Sequence, residues 1–392
     1  MVAWQDLVKF IQCVARKQLR RAEVDHVFRF VKKEVPWDHL VILAGIQGVD
    51  GFVYYHLNRL GLLNSLPESV SGQLEGSYGR TRKHTLAILN EAQVLSARIE
   101  QARIPVIALQ GLSLINTLYS EPGLRQLGDM DLMVKPGDKN RLKGLLFQEG
   151  YGSPYPTYPD ILFKSEVLVD IHTHVLNLDR IESRRYIFPE NLAPMWEKAI
   201  PFFNQPNGIL TLDPCDNFIA LAAHALKHSY SRLIWLADLH ECLLRWVNNA
   251  NRWGEMVGRA RFFRQERVVL YALILVERIF DLKIPFWVKR ELGIRKLGML
   301  ERHLLRLKLR GFSSNELCIG LWLCNIKGIG KKLKFIKETL FPKDEIMSQI
   351  FERSSRTTNA SVYAKRIGQG ISLVGENLRL ALALSFRSGG NK

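Results

Sequence analysis

The chain has 392 residues, of which 47% are hydrophobic and 10% aromatic; this is enough apolar material for two or three folded domains and excludes a disordered chain. Its formal charge of +17 favours polyanionic partners, whether nucleic acid, nucleotide phosphates or an anionic membrane surface, without choosing among them. The five cysteines (Cys13, Cys215, Cys242, Cys318, Cys324) include no Cys-x-x-Cys pair. That spacing argues against a zinc ribbon or a disulfide framework and for reduced thiols in a cytoplasmic protein.

In chain order, Leu7 to Val14 places apolar residues at helical intervals and is followed by the basic group Arg16, Lys17, Arg20 and Arg21. This segment reads either as a helix packed on its neighbours or as a helix lying on a membrane surface. Asp6, Lys9 and Arg16 interrupt any leader-type apolar run, and stretches such as Val268 to Val276 are too short to span a bilayer. A peripheral membrane contact stays open. Lys83 to Arg103 predicts a long helix, and Ile104-Pro105 breaks it ahead of the strand-like run Val106 to Leu109. Leu112 to Tyr119 is again helical in character, and Glu121-Pro122-Gly123 signals a turn. Asp129 to Val134 starts with the two-residue period of a strand, Lys139 to Glu149 predicts a helix, and a Pro/Tyr/Gly-rich loop covers Gly150 to Asp160. Ile161 to Lys164 and Glu166 to His172 then predict a hairpin. From Asp213-Pro214 onward the chain is helical, with apolar stripes in Ala220 to Lys227, Trp235 to Trp246 and Val268 to Phe280. Beyond Lys289 the helices turn basic, as in Arg302 to Arg310 and Lys331 to Lys337, and Arg387 to Lys392 should fray.

The chemistry concentrates between residues 105 and 175. Residues i and i+2 of a strand share a face, so Asp129 and Asp131 would present two carboxylates together while Met130 and Leu132 enter the core. Carboxylates aimed at one point repel, and a divalent cation is the natural compensation. Asp170, in the alternating run Leu168 to His172, would add a third carboxylate from a neighbouring strand. Upstream, Gly111-Leu112-Ser113 sits where a strand passes into a helix, a place where backbone N–H groups and a hydroxyl can meet a phosphate. Arg125 is a candidate for neutralising a triphosphate, with a surface salt bridge as its alternative.

The ordered segment Ala108-Leu-Gln-Gly-Leu-Ser113, Tyr119-Ser-Glu-Pro-Gly-Leu-Arg-Gln-Leu-Gly-Asp-Met-Asp-Leu-Met-Val134 and Val169-Asp-Ile-His172 resembles the uncharacterised nucleotidyltransferase family of the polymerase-beta-like superfamily. The resemblance covers roughly residues 80 to 290 and continues into Ala222 to Ser229 and Arg232 to Asp238. It implies an α+β fold: a small mixed-sheet nucleotidyltransferase core at 83–205, flanked by an N-terminal helical region (1–82), a helical cleft domain (206–290) and a basic helical C-terminal region (291–392). It also implies Asp129, Asp131 and Asp170 as catalytic metal ligands for Mg2+ or Mn2+. Gly111, Ser113, Gln110 and Arg125 would form the nucleotide-binding side, with an NTP as substrate. The family commonly has lysine where this chain has Gln110, which keeps a hydrogen-bond donor and loses the charge.

The implied activity is transfer of a nucleoside monophosphate to a hydroxyl-bearing acceptor, which can be a small molecule, a peptide, a protein or an RNA end. The alternative is a fold that has lost turnover and binds RNA or another polyanion through its basic surface. His224 and His228 share a helix face with Lys227 beside them; they read as cleft-lining residues or, less simply, as zinc ligands. Asp238 reads as a substrate-supporting residue or as a residue of a salt bridge or helix contact. His172 could orient Asp170, whereas His174 is as readily a structural residue. The basic helices beyond Lys289 offer either a contact for nucleic acid or anionic membrane, or a solvated face on a packed helix.

Overall fold

The computed structural model describes residues 2–341, apart from 154–158, 180, 204–207 and 311–315. The expected frayed end at Arg387 to Lys392, the Cys318 side chain and part of the Gly150 to Asp160 loop lie outside the described residues.

Four short helices open the chain: α1 (Trp4–Val14), α2 (Arg21–Val31), α3 (Trp37–Gln47) and α4 (Asp50–Arg59). The apolar stripe of α1 (Leu7, Phe10, Ile11, Val14) is buried, so this is the packed helix of the two readings. Arg16 is also internal: it donates to Glu23 at 2.5 Å and to the Phe280 carbonyl at 3.4 Å, and its own carbonyl lies 2.7 Å from His56 Nε2. Helix α5 (Glu68–Gln101) begins well before Lys83. Gly72, Gly76 and Gly79 argue against helix in its first half, each by about 1 kcal/mol. Packing overrides them: Val70 and Leu74 are buried, and Ser77 donates to Asp50 at the start of α4.

Next come β1 (Val106–Ala108), α6 (Gln110–Ile115), β2 (Met130–Val134), α7 (Lys139–Gln148), β3 (Ile161–Lys164) and β4 (Val167–His172). A short helix α8 (Ala193–Glu197) leads to β5 (Ile200–Pro201) and β6 (Ile209–Thr211). Helix α6 ends at Ile115, short of the predicted Tyr119. The strands form one six-stranded mixed sheet in the order β3-β4-β2-β1-β6-β5. Strand β2 runs antiparallel to β1 and parallel to β4, and β1 runs parallel to β6. The predicted hairpin is β3–β4, paired from Ile161↔Asp170 to Lys164↔Val167.

The remainder is helical: α9 (Pro214–Lys227), α10 (Leu233–Leu244), α11 (Ala250–Phe262), α12 (Glu266–Phe280), α13 (Phe286–Glu291), α14 (Met299–Leu309), α15 (Glu316–Asn325) and α16 (Ile329–Leu340). Asp213 caps α9 by accepting from the Cys215 N–H at 2.9 Å, with Pro214 in the first turn. The molecule is therefore α+β, with helices flanking a mixed sheet. Its buried apolar residues form one cluster from Leu7 in α1 to Phe335 in α16. Each fully buried Leu or Phe contributes roughly 1.5–3 kcal/mol to that core. No helix among the described residues is long and apolar enough to cross a membrane.

Candidate active site

The register of β2 on β4 builds the site. Asp131 pairs with Asp170, and Met133 pairs with His172. Parallel strands in register point paired residues to the same face, and Asp170 and His172 are two apart on one strand. The donor atoms of Asp131, Asp170 and His172 consequently lie within 4.8 Å of one another. Asp129 precedes β2 by one residue and is not in that tightest set, but its carboxylate responds to the charges of Asp131 and Asp170. Burial, then those two charges, push Asp129 up to about 7, against the opposing pull of His172 and Arg125. Met130 and Leu132 are fully buried, as the alternation predicts. Asp131 is also buried, because the acidic face of β2 is covered by His172 and its partners.

His172 is the centre of a directed chain. Its Nε2 lies 2.7 Å from Asp131 Oδ1 and 3.4 Å from Asp170 Oδ2. On the other side, Asn177 Nδ2 lies 2.9 Å from His172 Nδ1, and Lys227 Nζ lies 3.3 Å from Asn177 Oδ1. The lysine can only donate, so Asn177 receives it with its carbonyl and turns its amide toward the ring. His172 Nδ1 is then the acceptor, and Nε2–H donates to Asp131. Burial pushes His172 down, yet the hydrogen bond to Asp131 and the charges of Asp131 and Asp170 leave its pKa raised. The histidine thus bears on Asp131 as directly as on Asp170. Sequence reasoning missed Asn177; its only signal there is its place five residues after His172, and the structure gives it a left-handed backbone, φ +53°.

The turn from β1 into α6 abuts the acidic end of β2, since Leu109 N–H donates to the Asp131 carbonyl at 2.9 Å. Gln110 at this turn adopts φ +51°, a left-handed conformation that costs a residue with a Cβ roughly 1–2 kcal/mol. Gly111 follows, and a Cβ there would collide with the Arg125 guanidinium and with Leu127. The glycine is required by the close passage of Arg125. Ser113 is fully buried; its hydroxyl lies 2.7 Å from the Gln110 carbonyl, to which it donates, and 3.2 Å from Asn217 Oδ1. It braces the turn.

Arg125 and Asp238 are partners. Arg125 Nε lies 3.0 Å and Nη2 2.8 Å from Asp238 oxygens, and Tyr119 donates to the same carboxylate at 2.7 Å. The pair is buried, with side-chain exposures of 7% and 1%, an interior ion pair rather than a surface one. Burial opposes the charge of Arg125, and Asp238 more than restores it. The pair joins the turn before β2 to α10.

His224, Lys227 and His228 lie at the end of α9 and flank the acidic group. The rings of His224 and His228 are 4.7 Å apart, and both lie against Trp235 at 5.4 and 5.0 Å. Burial first, and then Lys227, depress both histidines, His228 to about 4. His174 is separate, 2.9 Å from the Pro189 carbonyl and edge-on to Phe188. A second group that brings Asp213, Cys215 and Glu255 together also contains Arg252, 2.8 Å from Glu255, which supplies the compensating charge.

The oxygen donors of Asp131 and Asp170, with Asp129 adjacent, suit a hard divalent cation, while both ring nitrogens of His172 are engaged by Asp131 and Asn177. Burial first, and then the charges of Asp131 and Asp170, hold Asp129 toward its neutral form, a cost that a bound cation would offset. A family model described as an uncharacterised nucleotidyltransferase matches residues 33–281. The chain belongs to this family. The nucleotidyltransferase match spans the sheet, the acidic group, α9, α10 and the Arg125–Asp238 pair, and it reaches back through α3 and α4. Those helices are joined to the site's surroundings: Gln126 donates to Asp50 at 2.8 Å, and Gln47 bonds both the Ser231 carbonyl and the Leu233 N–H. Searches of curated proteins and of solved structures found no match.

Proposed function

We propose that this nucleotidyltransferase-family protein is a divalent-cation-dependent enzyme that moves a nucleoside monophosphate from an NTP to a hydroxyl-bearing acceptor. In that reaction the acceptor oxygen forms a bond to the α-phosphorus, the bond to the bridging oxygen breaks, and pyrophosphate leaves with its electron pair. The observation that carries the reading is the in-register pairing of Asp131 with Asp170, with Asp129 one residue ahead of β2.

Asp129, Asp131 and Asp170 would hold Mg2+ or Mn2+, and the bound cation would supply charge neutralisation of the triphosphate. Asp170 would also take the proton of the attacking hydroxyl. His172, held by Asn177 and Lys227, would keep Asp131 turned toward the substrate. Gln110 and the Gly111–Ser113 turn would border the phosphates from β1. Gln110 carries no charge, so this reading gives the cationic contribution to Lys227, which reaches the acidic group through Asn177.

The test supplies each α-labelled NTP with Mg2+ or Mn2+ and cell extract, in parallel with the γ-labelled NTP. Label from the α position, and none from the γ position, should enter an acceptor. Transfer of γ label would contradict nucleotidyl transfer. Saturable binding of NTP or RNA with no transfer under any condition would support the polyanion-binding alternative.

A further inference from the structure

Away from the acidic group, α1, α3, α10, α12 and α14 line a cavity of about 370 Å3 that opens to solvent beside the exposed Lys9 and Arg310. Its walls include Val8, Ile11, Leu43, Leu236 and Ile279. Three cationic residues, Lys9, Lys308 and Arg310, also line it, and among the described residues no Asp or Glu does. On the same side of α14 as the core residue Leu305, Lys308 is half-buried. Burial alone pushes it down to about 8, and among the described residues no carboxylate pairs with it. An ammonium drawn partly out of water is normally met by a counter-charge. Here the cavity offers the space where one would sit.

The cavity and the acidic cleft share a wall. Ser229 and Tyr230, between α9 and α10, both adopt left-handed backbone (φ +55° and +50°). On the cleft side of this turn are Lys227 and His228; on the cavity side are Tyr230, Ser231 and Leu233. Gln47 of α3 pins the turn through Ser231 and Leu233.

We propose that this cavity binds a small amphipathic anion, an apolar chain of medium length ending in a carboxylate or a phosphate. The apolar walls take the chain, and the Lys9, Lys308 and Arg310 group takes the head. The proposal is independent of the reaction assigned to the acidic group.

Calorimetric titration of the full chain with decanoate, decyl phosphate, decanol and decyltrimethylammonium, all below their micelle concentrations, tests it. Decanoate or decyl phosphate should bind saturably, and the alcohol and the cation about tenfold more weakly or not at all. A preference for the carboxylate identifies a free acid as the source, and a preference for the phosphate a lysolipid-type ligand. Lys308→Met should weaken the anion about tenfold, and Val8→Trp, which fills the cavity from the half-buried side of α1, should abolish binding. The proposal is overturned if neither anion binds, if decanol binds as tightly as decanoate, or if both variants fold and bind as the wild type does.

Discussion

At the residue scale, the side chains around Asp131 are placed by partners that can each act in only one sense. Lys227 donates, so Asn177 must accept from it and present its amide to His172. Replacing Asn177 by Leu removes that constraint and frees the ring. Partners that orient a ligating group typically contribute 10–100-fold, and kcat should fall by about that factor while the KM for NTP changes little; Asn177→Gln should recover part of the loss. Equal loss in both variants together with a lower melting temperature would show a purely structural residue. Gly111 makes a separate prediction. Its Cβ position is filled by Arg125 and Leu127, so Gly111→Ala must displace a buried ion pair. A destabilisation of roughly 2–4 kcal/mol is expected in denaturant unfolding, whereas a glycine needed only for phosphate approach would leave stability unchanged.

His224 and His228 set a pH dependence at the same scale. Both have depressed pKa values in the folded chain, His228 to about 4, so the unfolded chain binds their protons first. The folded state therefore loses stability as pH falls from the ordinary histidine value of about 6.5 toward about 4. His228→Gln should flatten that part of the melting temperature against pH curve. An unchanged slope would mean that the charge burden lies elsewhere.

At the element scale, the Arg125–Asp238 pair ties the turn before β2 to α10, so the two halves of the cleft are positioned together. Breaking a buried pair leaves an uncompensated charge, typically a loss of 3–5 kcal/mol. Asp238→Leu alone should be that costly, and the double change Arg125→Met with Asp238→Leu should be milder. If the double variant were as unstable as the sum of the single ones, the pair would not be the link.

How much of this the sequence discloses depends on the element. The strands β2, β3 and β4 are legible because alternation and turn residues bound them, and with them the three carboxylates. Strands β5 and β6 are not: Ile200–Pro201 and Ile209–Thr211 are too short to show a period, and only the sheet makes them strands. The first half of α5 is hidden by its glycines. Arg125 and Asp238 each have two readings from sequence; their pairing across more than a hundred positions is a tertiary fact that neither local pattern contains. Likewise, Ser113 and Gly111 lie in a phosphate-loop-like pattern, yet their nearest duties are to brace Gln110 and admit Arg125.

At the scale of the whole molecule, the helical shell belongs to the same core as the sheet. Leu7, Phe10, Ile11 and Val14 of α1 are buried, Arg16 reaches Glu23 and Phe280, and Lys17 N–H donates to Glu241 of α10. A chain begun at residue 33, where the family match starts, would expose the surface these helices cover. It should melt many degrees lower or aggregate; an unchanged melting temperature would show that the first helices are an appendage. The basic helix α16 follows the same pattern. Phe335 is buried, Lys334 pairs with Glu182, Lys331 lies over the Tyr186 ring and Glu338 accepts from the Ser183 N–H at 2.7 Å, so one side of α16 is packed, and Lys337 is exposed.

The central claim is that the three carboxylates at the β2–β4 end of the sheet carry out nucleotidyl transfer. It is tested most directly by measuring pyrophosphate release and α-label incorporation together for the wild type, Asp131→Asn and Asp170→Asn. The wild type should show the two in equal amounts and only with Mg2+ or Mn2+ present, and each variant should fall by at least about a thousandfold, the scale of losing a principal electrostatic contributor. Variants that transfer label as fast as the wild type would contradict the assignment.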